Sequence, residues 1–200
     1  ISFEGAARTV TGSRHRIRWG ERSLLFDCGL YQGHRDEAER INRTFAFAPA
    51  ELDAVVVSHA HLDHTGNLPT LVSQGYGGSI HLTPATADLS RFMLADSAFL
   101  QEKDAEHVNQ RGQGRPARRA LYRPADVDET VTRFVTHRCR EPWDLWPGSR
   151  VEYFDAGHIL GSALTTFTFG HEGRSFRLGM SGDLGRAGRR ILRDPELHAG

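Results

Sequence analysis

The N-terminal residues alternate apolar and polar side chains in the manner of strands, first over Ile1 to Glu4. Beyond a stretch rich in Gly and Ala, the same alternation returns over His15 to Trp19 and Ser23 to Asp27. Gly20, Glu21 and Arg22 supply a short turn that would join these two as an antiparallel pair. Gly29, Gly33 and the polar run Arg35 to Arg40 predict a loop with room for a short helix. Leu52 to Val57 is a short, nearly continuous apolar run that stops at Ser58 and His59, which predicts a buried strand.

Helical spacing of Leu68, Leu71 and Val72 predicts a helix over Asn67 to Gln74, stopped by Gly75, Gly77 and Gly78. Ser79 to Thr83 reads as a strand. Pro84 then stands where a first helical residue belongs, with Thr83 as its cap. Leu89, Phe92, Met93, Phe99 and Leu100 continue at helical spacing, so a long helix is predicted from Pro84 to about Asn109. Gln110 to Leu121, rich in Arg and Gly with no apolar period, reads as a solvated connection. Ala125 to Val135 returns to helix. After Pro147 and Gly148 come three strands, Arg150 to Asp155, Ala163 to Phe169 and Ser175 to Met180, with Gly170 to Gly173 turning the second into the third. Strands, then helices, then strands predict a layered α/β or α+β domain without internal repeats.

Two hundred residues are enough for one large domain that needs no disulfides to stay folded. Hydrophobic residues at 38%, charged residues at 25% and a mean hydropathy of -0.47 describe a globular chain with no run long enough for a membrane span. Lys plus Arg and Asp plus Glu balance at 25 each, which excludes a protein that holds nucleic acid by bulk field. Any anionic ligand must be held locally. The basic residues are Arg apart from Lys103, a bias that genome composition explains as well as function does. Two cysteines, Cys28 and Cys139, cannot build a disulfide framework and imply a reducing compartment, hence the cytoplasm. The chain opens at Ile1 rather than Met and shows no secretory pattern, so its natural start is expected upstream.

His59-Ala60-His61-Leu62-Asp63-His64 packs three imidazoles and a carboxylate into six residues, directly after the Val55 to Val57 run. Neutral imidazole nitrogen and carboxylate oxygen are the ligands zinc takes in hydrolytic sites, and a strand end can aim several of them at one point. Such a site needs more ligands from elsewhere. Asp155 to Ser162 (DAGHILGS) places His158 after a strand between glycines, and Ser181 to Gly185 (SGDLG) does the same for Asp183. Three strand ends would then supply metal-type ligands together. His15, His34, His81, His107, His137, His171 and His198 read as structural or solvated, and Cys28 as a small buried hydrophobe rather than a zinc thiolate.

At these residues the chain resembles the metallo-β-lactamase fold superfamily. His59, His61, Asp63 and His64, then His158, then Asp183 match its second, third and fourth motifs, and Asp27 in Leu25 to Gly29 matches its first. Gly5 to Ser13 (GAARTVTGS), Leu30 to Gly33, DAGHILGS and Ser181 to Arg186 (SGDLGR) are similar to the β-CASP branch of RNA-processing nucleases, related to the factor that cleaves messenger-RNA 3′ ends. The last motif looks most like its bacterial members.

The resemblance implies an αββα four-layer sandwich, of which residues 1–200 would be the N-terminal portion, ending before the β-CASP insertion and the remaining lactamase strands. It implies two zinc ions: His59, His61 and His158 on the first, Asp63 and His64 on the second, Asp183 bridging. Asp63 would also orient the attacking hydroxide, and Asp27 would fix ligand geometry from behind. The general acid and the last ligand of the second zinc would lie past residue 200. The implied partner is single-stranded RNA, with Arg186 as a candidate phosphate contact; no membrane is expected, and a homodimer is admitted. Two rivals remain: another hydrolase on this fold, such as a thioesterase or lactamase, and a non-catalytic RNA-binding scaffold.

Overall fold

A computed structural model describes residues 1–111 and 117–196. Six strands lie side by side in chain order in one sheet: β1 (Ser2–Gly5), β2 (Arg14–Trp19), β3 (Arg22–Phe26), β4 (Ala54–Val56), β5 (Ser79–Leu82) and β6 (Phe134–Thr136). The β1–β2 and β2–β3 pairs are antiparallel, whereas β3 to β6 run parallel. A second, antiparallel sheet contains β7 (Ser149–Asp155), β8 (Ala163–His171) and β9 (Arg174–Met180). The helices are α1 (Arg35–Arg43), α2 (Leu62–Thr65), α3 (Leu68–Ser73), α4 (Pro84–Arg111) and α5 (Pro124–Val131).

The parallel strands must bury both faces, and their side chains sort accordingly. Leu25, Val55, Ile80 and Leu82 pack with Leu68, Leu71 and Val72 of α3 and Ala87 of α4. The alternate residues Leu24, Phe26, Ala54 and Val56 pack against Val151, Tyr153, Phe167 and Phe169 of the second sheet. Each fully buried Val, Leu or Phe contributes about 1.5–3 kcal/mol, so the two sheets are joined by a continuous apolar layer. The result is helices on sheet on sheet. Among the described residues no helix follows β7, so three layers are seen, in the order α, β, β. None of these helices is long and apolar enough to cross a membrane.

Local chemistry accounts for most boundaries. Thr83 Oγ1 accepts the Thr86 N–H at 3.2 Å and donates to Gly161 O at 2.7 Å, capping α4 and tying it to the β7–β8 loop. The β8–β9 hairpin turns at Glu172 and Gly173, both at positive φ (49° and 74°), as a two-residue turn demands. Strand pairing therefore runs to His171, two residues past the expected end at Phe169.

One predicted segment differs, and one is better defined than expected. The helix predicted over Ala125 to Val135 ends at Val131, and Phe134–Thr136 is instead the edge strand β6, paired with β5. Val127, Val131 and Phe134 keep helical spacing across the break, which hides the strand. The polar run after His34 forms a nine-residue helix, α1, with Asp36 and Glu37 in its first turn and Arg40 and Arg43 in its last, the charge order that suits a helix dipole. Of the predicted connection over Gln110 to Leu121, residues 112–116 lie outside the described residues.

Candidate metal centre

Four segments meet at the carboxyl ends of β3, β4, β7 and β9. Asp27 follows β3, and its N–H donates to Val56 O of neighbouring β4 at 2.9 Å. The segment after β4 carries Ser58 to His64 and folds into α2 against the segment after β3: Cys28 N–H donates to His64 O, Leu30 N–H to Leu62 O, and Ser13 N–H to Asp63 O, each at 2.8 Å. Gly29 is required there, since a Cβ would lie 1.6 Å from Asp63 O. From the second sheet, the loop around His158 is fastened by Ser162 Oγ, which accepts the N–H groups of His158 (3.0 Å) and Ile159 (3.2 Å). Gly185, just past Asp183, donates its N–H to Ala156 O at 2.8 Å, in a gap so narrow that a Cβ would meet Gly157 O at 1.7 Å.

These loops bring His59, His61, His158 and Asp183 together, with one donor atom from each lying within 4.8 Å of the others. His61 Nδ1 stands 3.0 Å from His59 Nε2 and 3.2 Å from His158 Nε2. Nitrogens at the corners of a tetrahedron 2.0–2.1 Å from zinc would be about 3.3 Å apart, so the donor set fits such an ion. Asp183 divides its two oxygens: Oδ2 lies 3.5 Å from His158 Nε2 and 3.9 Å from His59 Nε2, and Oδ1 lies 3.4 Å from His64 Nε2. His64 Nε2 is in turn 3.8 Å from Asp63 Oδ2. Among the described residues the first cluster is the one group of three or more donors within that span; Asp63 and His64 stand beside it as a looser pair.

Behind the donors, Asp27 is fully buried at φ 61°. Its Oδ1 accepts the Ser58 N–H at 2.8 Å; its Oδ2 faces His64 Nδ1 at 2.7 Å and Ser58 Oγ at 3.0 Å. Burial, then the neighbouring His64, His61 and His158, push the His59 pKa down to about 2, so its imidazole is neutral and available as a ligand. Burial also works against charge on His64, but the Asp27 hydrogen bond and the charges of Asp27, Asp183 and Asp63 outweigh it and raise its pKa. His158 is lowered, chiefly by burial.

All six residues singled out as ligands, and Asp27, thus lie at one place. Arg186 is exposed in the irregular segment three residues past Asp183. Ser58 had no signal in the sequence beyond its position next to His59, and Ser13, whose Oγ reaches Asp27 Oδ2 at 3.3 Å, had none. Cys28 packs in the helix-side core, its thiol pushed up to about 12 by burial, and is inert there. His81 and His137 form a separate pair, Nδ1 to Nε2 at 2.9 Å, with His137 stacked on Trp143 at 3.8 Å. His198 lies outside the described residues. A cavity of about 270 Å³ opens beside His64 and Asp183, lined by residues that include Val10, His15, Phe26 and Met180.

Residues 17–171 match the model of the metallo-beta-lactamase superfamily. Ribonuclease TTHA0252 of Thermus thermophilus is 36% identical over 193 residues, covering 96% of this chain and 39% of that protein. The transcription termination factor FttA of Methanocaldococcus jannaschii is 30% identical over 184 residues, 92% of this chain and 27% of that protein. The chain therefore spans well under half the length of these relatives. Among solved structures, a metallo-beta-lactamase from Cronobacter sakazakii superposes with TM-score 0.53 at 19% identity, over 92% of this chain and 57% of that one. A class B3 di-zinc metallo-beta-lactamase, LRA-12, from an Alaskan soil metagenome gives 0.51 at 15% identity, over 89% and 58%. Both share the fold with this chain.

Proposed function

The chain belongs to the metallo-beta-lactamase superfamily, and from that premise we propose that it carries the metal centre of a zinc-dependent ribonuclease acting on single-stranded RNA in the cytoplasm. The observation that carries this reading is the divided Asp183 carboxylate, one oxygen turned to the His59, His61 and His158 cluster and the other to His64. That arrangement suits two metal ions sharing one bridging ligand. The relatives named ribonuclease and transcription termination factor favour RNA over a small amide or thioester as substrate.

In this reading His59, His61 and His158 would hold one zinc, Asp63 and His64 would hold the other, and Asp183 would contribute an oxygen to each. Bound zinc supplies Lewis acidity, lowering the pKa of water toward 7 and offsetting charge on the phosphate. The chain's own residues do the rest. Asp63, with its side chain 21% exposed, is accessible enough to accept a hydrogen bond from an attacking water and so orient it. Asp27 holds the His64 ring with Nε2 turned toward Asp183. Arg186, exposed three residues past Asp183, is the candidate contact for a phosphate next to the scissile one.

The test is a cleavage assay on the full-length chain, with single-stranded RNA, a thioester and a β-lactam offered side by side. RNA cleavage that is abolished in Asp63→Ala, with the fold retained by circular dichroism, is the expected result. Turnover of the thioester or lactam with RNA untouched would move the assignment to another hydrolase. RNA binding without cleavage by the zinc-loaded protein would make it a binding scaffold.

A further inference from the structure

We propose that Ser58 is the positioning residue of the metal centre, its single hydroxyl fixing the ring of His59 and tying it to Asp27 and thereby to His64. This rests on the metal reading above. Ser58 is 1% exposed and sits between the segment after β3, the start of β8 and the segment after β9. Its N–H donates to Asp27 Oδ1 at 2.8 Å, and its carbonyl accepts the Ala163 N–H from β8 at 2.8 Å. Its Oγ lies 3.0 Å from Asp27 Oδ2, 3.0 Å from His59 Nδ1 and 3.4 Å from His64 Nδ1. Gly182 covers it: a Cβ there would sit 2.6 Å from Ser58 Cβ and 2.9 Å from Ser58 Oγ, so the backbone that presents Asp183 rests on this serine.

Proton arithmetic gives the hydroxyl a direction. Ser58 has one hydroxyl proton, and it donates that proton to Asp27 Oδ2 at 3.0 Å. The Ser58 oxygen is then left to accept, and the nearer ring nitrogen is His59 Nδ1 at 3.0 Å, against 3.4 Å for His64 Nδ1, which already faces Asp27. His59 must therefore carry its proton on Nδ1, which frees the Nε2 lone pair that faces His61 Nδ1. His64 donates its Nδ1–H to the same Asp27 oxygen at 2.7 Å, which leaves Nε2 as the ring atom turned toward Asp183 and available to a metal. One serine–aspartate unit thus selects the tautomer of a histidine in each half of the centre. Partners of this kind behind a metal ligand are worth 10- to 100-fold in metal affinity.

Three full-length proteins, unsubstituted, Ser58→Ala and Ser58→Thr, are stripped of metal and titrated with zinc against a chromophoric chelator, and their Co(II) spectra are recorded. His158→Ala serves as the control. Ser58→Ala is expected to bind the first zinc about 10- to 100-fold more weakly and to show an altered cobalt spectrum, with metal-free thermal unfolding moved by only a few degrees. Ser58→Thr, which keeps the hydroxyl, is expected to recover most of the affinity. Unchanged affinity in Ser58→Ala, or equal loss in both variants, overturns the proposal. If Ser58→Ala does not fold, nitrogen-15 imidazole spectra of the metal-free unsubstituted protein decide: His59 protonated on Nδ1 is expected, and protonation on Nε2 overturns it. An unsubstituted protein that binds neither metal, like His158→Ala, sinks the metal reading itself and is distinguishable from a failure of Ser58 alone.

Discussion

The Nδ1 of His64 lies 2.7 Å from Oδ2 of Asp27, a carboxylate with no solvent exposure whose backbone sits in the left-handed region at φ 61°. Position 27 therefore asks for an acceptor toward His64 and Ser58 and for a residue that tolerates positive φ. Asp and Asn tolerate that conformation; most others do not.

Asp27→Asn and Asp27→Ala should separate these demands. Asn keeps the backbone preference and one carbonyl acceptor, so a loss of about 2 kcal/mol is expected in urea unfolding of the metal-free protein. Ala leaves buried donors unpaired and adds backbone strain, with about 3–5 kcal/mol lost. Equal losses would mean that shape, not hydrogen bonding, is what the position supplies.

Zinc content should be graded. Three imidazoles and a carboxylate form the tighter cluster, whereas Asp63 and His64 meet Asp183 more loosely. After dialysis at neutral pH, metal analysis of this 200-residue chain is expected to find about one zinc held firmly and a second only partly retained. His158→Ala should lower the firm fraction, and absence of any transition metal from the unsubstituted protein would contradict the donor geometry.

Acid sensitivity should come in part from His81, far from the ligand set in sequence. Burial, and then His137, lower its pKa to about 4. Between pH ~6.5 and ~4 the unfolded chain binds a proton that the folded one refuses, so stability falls as pH drops through that window and is fully present above it. His81→Gln should remove about 2 kcal/mol of that pH dependence in denaturant titrations, leaving the parts due to His59, His137 and His158. An unchanged slope would show that the His81–His137 pair takes up its proton without resistance.

Gly29→Ala should be costly out of proportion to one methyl group. The added carbon would fall 1.6 Å from Asp63 O and 2.1 Å from its carbonyl carbon, both backbone atoms of the ligand segment. A loss of about 3 kcal/mol or more, together with weaker zinc binding, is expected in thermal unfolding and metal titration. Gly77→Ala, where a Cβ meets nothing within 4 Å, should stay within about 0.5 kcal/mol.

Arg186, on the ribonuclease reading, should act through charge alone. Its replacement by Ala in the full-length protein is expected to lower the salt slope of single-stranded RNA binding by roughly 0.7, the value of one phosphate contact. An unchanged slope removes Arg186 from the interface.

What could be read from the chain was whatever is contiguous or periodic. His59 to His64 announces itself because three imidazoles follow an apolar strand, and the strand end alone implies where they point. His158 and Asp183 carry weaker signals, each a polar residue beside glycine, and gained weight only jointly. β6 escaped because Phe134 serves the helix-side core while keeping step with Val127 and Val131. α1 was legible only as a loop with room for a short helix, because it buries little besides Asn42. Ser58 and Ser13 were illegible for a different reason: a serine hydroxyl has no sequence signature, and both reach Asp27 across the chain rather than along it.

The donors of the tighter cluster come half from each side of the fold, His59 and His61 following β4, His158 following β7 and Asp183 following β9. An ion held there is a clasp between two sheets that otherwise meet only through side chains and loop contacts. Metal at 100 times its dissociation constant would add about 2.7 kcal/mol to whatever holds the sheets together. Loosening of the inter-sheet layer would open the clasp before either sheet lost its own hydrogen bonds, so metal escape would register sheet separation as an early step of unfolding. Chelators would then act on this protein as mild denaturants of one seam, leaving each sheet's strand pairing as it was.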